Sequence, residues 1–310
     1  MEKFVILPDV TCDLPQVIRD EFGINDYLKG HVHISDGRDF PTRLDWSEIS
    51  RDDYYAALSS RKPEVTSAPP SPEEYYLAFK KYCQEGYKVL SVSISSKISS
   101  TYGVASLAAK RVMEEVEGSE IYCFDSFRMS GAIGLLVLYA QMLKNEGKGF
   151  YEVIEWLEAN KHRVHQMGPI DDLMVVARRG RLSMGKAIMG SFAGVKPMGD
   201  CNRNGYVSVL GKAKGINRAL DITAEYIKKT VSEPQSSYAL VYHTDRAAYA
   251  ERLKGLLEER VGFKKVYLSE VFSGCATNIG TGMICAYYFG DEITEDMEKE
   301  KETMNELLNG

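Results

Sequence analysis

The sequence lacks the cysteine patterns of secreted or zinc-binding proteins. Its six cysteines are widely scattered and include no Cys-x-x-Cys pair. A disulfide framework and a structural zinc site both need cysteines at short, repeated spacings. The distribution therefore argues against both and favours a reducing, cytoplasmic location. The six positions are Cys12, Cys83, Cys123, Cys201, Cys275 and Cys285.

Long apolar runs are also missing. The longest, AIGLLVLYA at residues 132–140, is too short to cross a bilayer and predicts a buried helix. The first residues, MEKFVILPDV, have neither the basic leader nor the cleavage site of a signal peptide. We therefore expect no integral membrane segment, in a chain whose 310 residues allow two domains.

Charge is plentiful but unevenly placed. The composition, 44% hydrophobic and 26% charged with a net charge of −6, is that of a globular protein. Residues 178–218 nevertheless contain nine lysines and arginines against one aspartate, a local balance of +8. Residues 291–310 contain eight acidic residues against two lysines. The basic segment indicates an anionic ligand or a partner surface, with a solvated basic face as the alternative.

The first half of the chain alternates strand and helix signals. Apolar runs at residues 4–7, 88–94 and 121–124 predict strands. Between the first two, Ser71-Pro72-Glu73-Glu74 is a capping box with proline at the first helical position. Another helix is expected to begin at residues 99–101. Helices between strands imply parallel pairing, so we predict an α/β domain with a mainly parallel sheet at residues 1–165.

A second α/β domain with a mixed sheet is predicted for residues 166–290. Asn204-Gly205 predicts the turn of a hairpin. Apolar runs at residues 239–243 and 265–268 predict two strands around a helix. The remaining residues, 291–310, predict an acidic helical tail with Met297, Met304 and Leu308 as a thin apolar stripe.

Short hydroxyl side chains collect where strands of the first domain end. In SVSISSKISSTYG, residues 91–103, the first serines belong to a strand and the last begin a helix. Ser95 and Ser96 lie between the two. Ligands of open parallel sheets bind beyond the carboxyl ends of the strands, where hydroxyls and free amides suit a carboxylate or phosphate. We expect Thr66 and Ser67 to join this group; helix capping is the alternative role for Ser71, Ser99 and Ser100.

An enzyme is the alternative function. Asp9 and Asp125 follow two of the strands, which suggests a small-molecule hydrolase or phosphotransferase that uses them with the strand-end serines. A nucleophilic serine needs a base, however, and no Gly-x-Ser-x-Gly elbow surrounds these serines. The histidines are expected to be structural: His31 and His33 on a surface strand, His162 and His165 three apart on a helix.

Two further functions receive little support. GRLSMGKA at residues 180–187 matches part of a phosphate-binding loop, but alanine occupies the position of the magnesium-binding hydroxyl. We interpret this stretch as the start of a helix capped by Ser183. Nucleic-acid binding would use the basic segment, but that segment contains only Phe192 and Tyr206 as aromatic residues and no recognition motif. No cluster of residues predicts a metal site.

Eight segments follow one another along the chain in the order PDVTCDLP, VTSAPPSPEEYY, SISSKISSTYGVA, FDSFRMSGAIG, ARRGRLS, GVKPM, GKAKGINRAL and ATNIGTG. In this order they resemble the DegV family, the bacterial fatty-acid-binding subunits of a two-component fatty acid kinase. The resemblance covers roughly residues 3–290. It implies two α/β domains that hold one long-chain fatty acid in a tunnel between them, without a cofactor and without activity alone. An ATP-binding kinase subunit is the implied partner, which phosphorylates the presented carboxylate.

The resemblance also implies roles for individual residues. Thr66, Ser67, Ser95 and Ser96 match the positions that hold the carboxylate, and Arg181 matches an arginine near the anionic end. Lys212 and Lys214 match basic residues that meet the kinase subunit.

Two stretches depart from the family pattern. The usual Thr-Asp-Ser-Thr reads Pro8-Asp9-Val10-Thr11, and the usual Gly-Thr-His reads Ala276-Thr277-Asn278. Asn278 can hydrogen-bond a carboxylate but cannot carry a charge.

Overall fold

The computed structural model describes residues 2–60, 62, 64–183 and 194–310. The expected helix after Ser183 and the second half of the phosphate-loop-like stretch, residues 184–187, lie outside these residues. The chain divides into two compact units, the first formed by Met1–Lys161 with Phe272–Thr277 and the second by His162–Val271 with Asn278–Gly310. Residues 272–277 therefore belong to the first unit, although the residues on either side of them belong to the second. We identified no sequence signal for this return of the chain.

The first unit is built around a parallel sheet of three strands in the order β1-β5-β6. In its register, Leu7 pairs with Ser91 and Ser93 pairs with Asp125, so the carboxyl ends of the strands lie side by side. A separate antiparallel sheet has the order β3-β2-β4. The elements are β1 (Phe4–Pro8), α1 (Gln16–Phe22), β2 (His31–Ile34), β3 (Arg38–Pro41), α2 (Arg51–Ser59), β4 (Val65–Ala68), α3 (Pro72–Gln84), β5 (Lys88–Ser93), α4 (Thr101–Glu115), β6 (Ile121–Asp125), α5 (Gly131–Asn145) and α6 (Phe150–Asn160).

Local signals explain these helices. The Ser71 hydroxyl accepts the Glu74 N–H at 3.2 Å, and Glu74 in turn accepts the Ser71 N–H at 2.7 Å, so the predicted capping box is confirmed. The buried face of α3 packs with α4 against the parallel sheet. The run at residues 132–140 lies inside α5, whose residues in this stretch are almost all buried, as expected from its lack of a polar face.

The second unit has a mixed six-stranded sheet in the order β11-β10-β12-β7-β8-β9. Only β10 and β11 are parallel; the other pairs are antiparallel. The β8–β9 hairpin turns at Gly205, which lies at φ 81°, as Asn204-Gly205 predicted. The elements are β7 (Val164–Pro169), α7 (Leu173–Arg178), β8 (Val195–Cys201), β9 (Val207–Lys214), α8 (Ile216–Thr230), β10 (Tyr238–His243), α9 (Ala247–Arg260), β11 (Lys265–Glu270), α10 (Ser273–Ile279), β12 (Ile284–Phe289) and α11 (Glu298–Asn309).

Helices α8, α9 and α11 pack on this sheet and bury one core with it. α11 is the helix of the acidic tail, and Met297 and Met304 are both buried in that core. Among the described residues, no helix is long and apolar enough to cross a membrane.

The expected helix for His162 and His165 was wrong. His162 lies in a short 3-10 turn, and His165 lies on β7. The His165 ring is buried: its Nδ1 is 2.6 Å from the Asp200 carboxylate, and its Nε2 is 2.9 Å from the carbonyl oxygen of Asp291. Both neighbours accept hydrogen bonds, and the ring stacks on Tyr288, so this histidine has a structural role.

Candidate functional site

The carboxyl ends of β1 and β5 are joined by a buried carboxylate. Asp9 accepts the backbone N–H of Thr11 at 2.8 Å and that of Ile94 at 3.1 Å, and the Thr11 hydroxyl donates to it as well. Burial raises the pKa of Asp9, while these donors oppose the increase. Two of these three contacts are to backbone N–H groups, so Asp9 fixes the backbone where β1 and β5 end. We call this region, formed by Asp9, Ser95, Ser96 and Asp125, the strand-end corner.

Ser95 and Ser96 lie at this corner, immediately after β5. Ser95 is fully buried, and its hydroxyl accepts the N–H of Lys97 at 3.3 Å. Ser96 is half-buried, and its N–H donates to Asp125 at 3.1 Å. Of the two serines, Ser96 therefore offers the more accessible hydroxyl. The hydrogen bond between Ser96 and Asp125 also joins the end of β5 to the end of β6.

The loop after β6 completes the corner and contains a residue that the sequence did not single out. Arg128 is fully buried, and its carbonyl oxygen accepts the N–H of Ser95 at 3.0 Å. Its Nε donates to the carbonyl oxygen of Lys161 at 2.8 Å. Its N–H donates to the Ser126 hydroxyl at 3.1 Å. Arg128 therefore supports the backbone beneath the two serines; a buried arginine in FDSFRMSG has no local sequence signal.

Thr66 and Ser67 belong to β4, a strand of the antiparallel sheet. They pair with His33 and Val32 of β2, and the Thr66 hydroxyl lies 3.4 Å from the His33 carbonyl oxygen. Both side chains are half-buried. Their strand therefore lies just before the capped helix and belongs to the antiparallel sheet, not to the parallel one. Whether they share a ligand with Ser95 and Ser96 stays a prediction.

Of the three serines at the helix starts, Ser71 and Ser99 bond to backbone N–H groups there, as their alternative role requires, and Ser100 does not. Ser71 caps α3, as described above. The Ser99 hydroxyl accepts the N–H of Thr101 at 3.3 Å and lies 2.7 Å from its hydroxyl. Ser100 is exposed and makes no side-chain capping bond to α4. The ligand candidates in this loop are therefore Ser95 and Ser96.

Arg181 and Asn278 belong to the second unit. Arg181 follows α7 and is half-buried, and its carbonyl oxygen accepts the Val207 N–H at 3.1 Å. Burial, together with the positive charge of Arg179, lowers the pKa of Arg181. Asn278 is half-buried near the end of α10. The structure gives both side chains partial access to solvent, which a role in ligand binding requires.

An ion-pair cluster lies beside the glycine-rich stretch ATNIGTG. Asp171 contacts Lys196 at 2.5 Å and Arg246 at 2.7 Å. Burial raises its pKa, but the two cations outweigh this and leave the pKa of Asp171 below its ordinary value. Gly282 lies at φ 94°, and a Cβ there would come within 2.4 Å of the Asp171 side chain. Part of the basic segment is thus neutralised within the unit, which sequence spacing alone did not indicate.

Lys212 and Lys214 are exposed on β9, the edge strand of the six-stranded sheet. Both side chains point away from the buried position of Ala213 between them, as alternation along a strand requires. They are therefore accessible to an anionic or acidic partner.

Proteins of known sequence are similar to this chain over nearly its whole length. A DegV domain-containing protein of Clostridium perfringens is 28% identical over 291 residues, which cover 94% of this chain and 99% of that protein. Another, from Clostridium acetobutylicum, is 26% identical over 93% of this chain and 99% of its own length. Sequence similarity therefore extends through both units.

Solved structures share the fold. A fatty-acid-binding DegV family protein from Thermus thermophilus superposes with a TM-score of 0.82 at 24% identity, covering 93% of this chain and 99% of that one. A DegV lipid-binding protein from Thermotoga maritima gives a TM-score of 0.80 at 23% identity, covering 94% and 99%.

The family model described as "Uncharacterised protein, DegV family" matches residues 3–290. The match includes the strand-end corner, the antiparallel sheet and the glycine-rich stretch, and it ends before α11. The chain therefore belongs to the DegV family.

Proposed function

We propose that the protein binds one long-chain fatty acid, with the carboxylate at the strand-end corner around Ser96. The observation that carries the proposal is the half-buried Ser96, whose backbone is fixed by Asp125 at the meeting point of two parallel strands. A hydroxyl and free amides at such a corner suit a carboxylate. Thr66, Ser67 and Ser95 are proposed to contribute further hydroxyls, and Arg181 and Asn278 to lie near the anionic end.

The relatives support this ligand class. A DegV family protein from Eubacterium eligens is described as loaded with heptadecanoic acid, and one from Ruminococcus gnavus is described with vaccenic acid. Burial of a sixteen-carbon chain at ~0.8 kcal/mol per methylene contributes on the order of 10 kcal/mol before the costs of binding. The polar corner then needs only to orient the head group. The tunnel between the domains that the resemblance implies stays a prediction.

Native mass spectrometry of the purified protein tests the proposal directly. We expect an added mass of one fatty acid, released on denaturation and identified by solvent extraction. A protein that is purified empty and takes up neither labelled palmitate nor labelled oleate would contradict the proposal.

Serine variants test the position of the head group. We expect Ser96→Ala to weaken palmitate binding about tenfold, since one hydrogen bond to a charged group is lost. Thr66→Ala should also weaken it. Ser100→Ala is the matched control, because Ser100 lies in the same loop but is exposed and makes no capping bond. Equal affinities for Ser96→Ala and the wild type would place the carboxylate elsewhere.

We further propose that the protein presents the fatty acid to an ATP-dependent kinase subunit and has no activity alone. The exposed Lys212 and Lys214 on the edge strand support a partner surface. With that subunit and ATP, acyl phosphate should form and be trapped by hydroxylamine. Charge reversal at both lysines should slow its formation without changing palmitate affinity. Turnover of any substrate without a partner, lost in Asp9→Asn, would favour the alternative of an enzyme.

A further inference from the structure

A buried carboxyl group of the first unit holds the start of α10. Asp13 is fully buried in the turn after β1 and accepts the backbone N–H of Phe272 at 3.0 Å. Its other oxygen accepts the hydroxyl of Ser130 at 2.6 Å. Asp13 and Phe272 are 259 residues apart in the sequence. Phe272 immediately precedes Ser273, the first residue of α10, so this contact fixes the position at which the helix begins.

Other contacts dock the same helix on the same turn. The Cys275 Sγ lies 3.5 Å from the carbonyl oxygen of Thr11. A Cβ at Gly274 would lie 3.2 Å from Val10, so helix and turn approach closely at this point. From a second side, the buried Tyr54 hydroxyl lies 2.9 Å from the hydroxyl of Thr277. The helix is therefore held along its length.

The backbone around Asp13 is in unusual conformations. Asp13 lies at φ 50° and Ser130 at φ 52°, ψ −135°, a region that residues with a side chain rarely adopt. A Cβ at Gly134 would lie 2.7 Å from the carbonyl oxygen of Cys12, so α5 also presses against this turn. Strained backbone persists where surrounding contacts require it, and it is concentrated at functional sites.

Asn278, proposed above to lie near the anionic end of the fatty acid, belongs to the same helix. Asn278 directly follows Thr277 and lies in the last turn of α10, so the anchored helix determines where its amide is placed. A shift of α10 would move Asn278 with it.

We propose that Asp13 is a positioning residue for the carboxylate of the bound fatty acid, acting on Asn278 through the start of α10. This inference rests on the proposed function. It predicts that affinity for the head group depends on an acceptor at position 13 that does not itself touch the ligand. The conservative variant Asp13→Asn keeps such an acceptor, because its amide oxygen can accept the Phe272 N–H while its NH2 group donates to Ser130.

Equilibrium binding of labelled palmitate to the full chain tests the inference. We expect Asp13→Ala to weaken binding at least tenfold, and Asp13→Asn to bind within threefold of the wild type. Amide hydrogens of Phe272 and of α10 should exchange faster in Asp13→Ala than in the wild type, and at the wild-type rate in Asp13→Asn. Tyr54→Phe, which removes a second contact of α10, should weaken binding in the same direction and covers the case in which Asp13→Ala does not fold.

Val153→Ala is the control for loss of stability alone. Val153 is fully buried on α6 in the same unit, and the contacts that hold α10 do not involve it. The inference is overturned if Asp13→Ala and Tyr54→Phe bind palmitate like the wild type. It is also overturned if Val153→Ala loses as much affinity at equal thermal stability. A wild-type protein that binds no fatty acid rejects the proposed function itself, and this result appears before any variant is compared.

Discussion

Asp13 combines full burial with a position close to a second buried carboxyl group, that of Asp9. Burial raises the pKa of Asp13 from an ordinary 3.8 to about 7, and the charge of Asp9 adds to the increase. Ser130, Cys275 and the Phe272 N–H oppose it by donating hydrogen bonds. The folded protein therefore keeps this proton at pH values at which the unfolded chain has lost it.

Asp13 should therefore lower the free energy of unfolding as the pH rises from about 4 to about 7. Above that range its contribution should not change further. Asp13→Asn lacks this effect. Its free energy of unfolding relative to the wild type should therefore increase by on the order of 2 kcal/mol between pH 5 and pH 8. Urea unfolding at the two pH values measures the change. Asp20→Asn, an exposed position on α1, should show no such increase; a constant difference for Asp13→Asn would contradict the prediction.

Asn278 cannot carry a charge, whereas a histidine at the same position could. If it lies near the fatty acid carboxylate, Asn278→His introduces a group that becomes positively charged below about pH 6.5. We expect the affinity of Asn278→His for palmitate, relative to the wild type, to rise severalfold from pH 8 to pH 6. Asn278→Gln, which cannot be charged either, should show no such rise. A pH-independent ratio for the histidine variant would place residue 278 away from the head group.

At the level of helices and strands, the features that the sequence predicted depend on a few neighbouring residues. The capping box at Ser71, the turn at Gly205 and the buried run of α5 are examples, because each signal lies within the element itself. The meeting of Ser96 with Asp125 was also predictable, since parallel strands end at the same edge of a sheet.

The features that were missed depend on distant residues. The position of His165 on β7 is stabilised by Asp200, and β4 pairs with β2 rather than with the parallel sheet. Residues 272–277 belong to the first unit, where Phe272 contacts Asp13, and no local pattern relates these two residues. Much of the candidate site lies in this second category, because its support comes from buried contacts such as those of Arg128.

Gly168 of β7 lies very close to the backbone of β12. A Cβ at Gly168 would lie 2.0 Å from the carbonyl oxygen of Ile284 and 2.8 Å from the Cα of Cys285, and backbone atoms of a central strand cannot move aside. We expect Gly168→Ala to reduce the free energy of unfolding by at least about 3 kcal/mol. Thermal and urea unfolding measure the loss.

Gly103→Ala is the matched control for this substitution. Gly103 is exposed on α4, and a Cβ there would have no atom within 4 Å. Alanine should therefore stabilise the protein by up to about 1 kcal/mol, because it is the better helix former. Equal stabilities for the two alanine variants would show that the sheet adjusts at Gly168 and would contradict the prediction.

At the scale of the whole molecule, the chain forms two compact units. The first contains the strand-end corner together with residues 272–277, and the second contains the six-stranded sheet. The second also includes α11, which lies beyond the residues matched by the family model. Met304 of α11 is fully buried, and a Cβ at Gly211 would lie 2.7 Å from it, so the helix packs directly on β9.

This packing makes α11 a structural part of the second unit rather than a solvated tail. We expect Met304→Ala to cost about 2–5 kcal/mol, and removal of residues 295–310 to cost more, because the core next to β9 becomes exposed. Hydrogen exchange should accelerate in β9 and α8, whereas β1, β5 and β6 of the first unit should keep their protection. Glu302→Ala, exposed on the same helix, should change neither property. If the truncated chain keeps the protection of β9, the helix is dispensable for the second unit and the acidic tail serves a purpose other than stability.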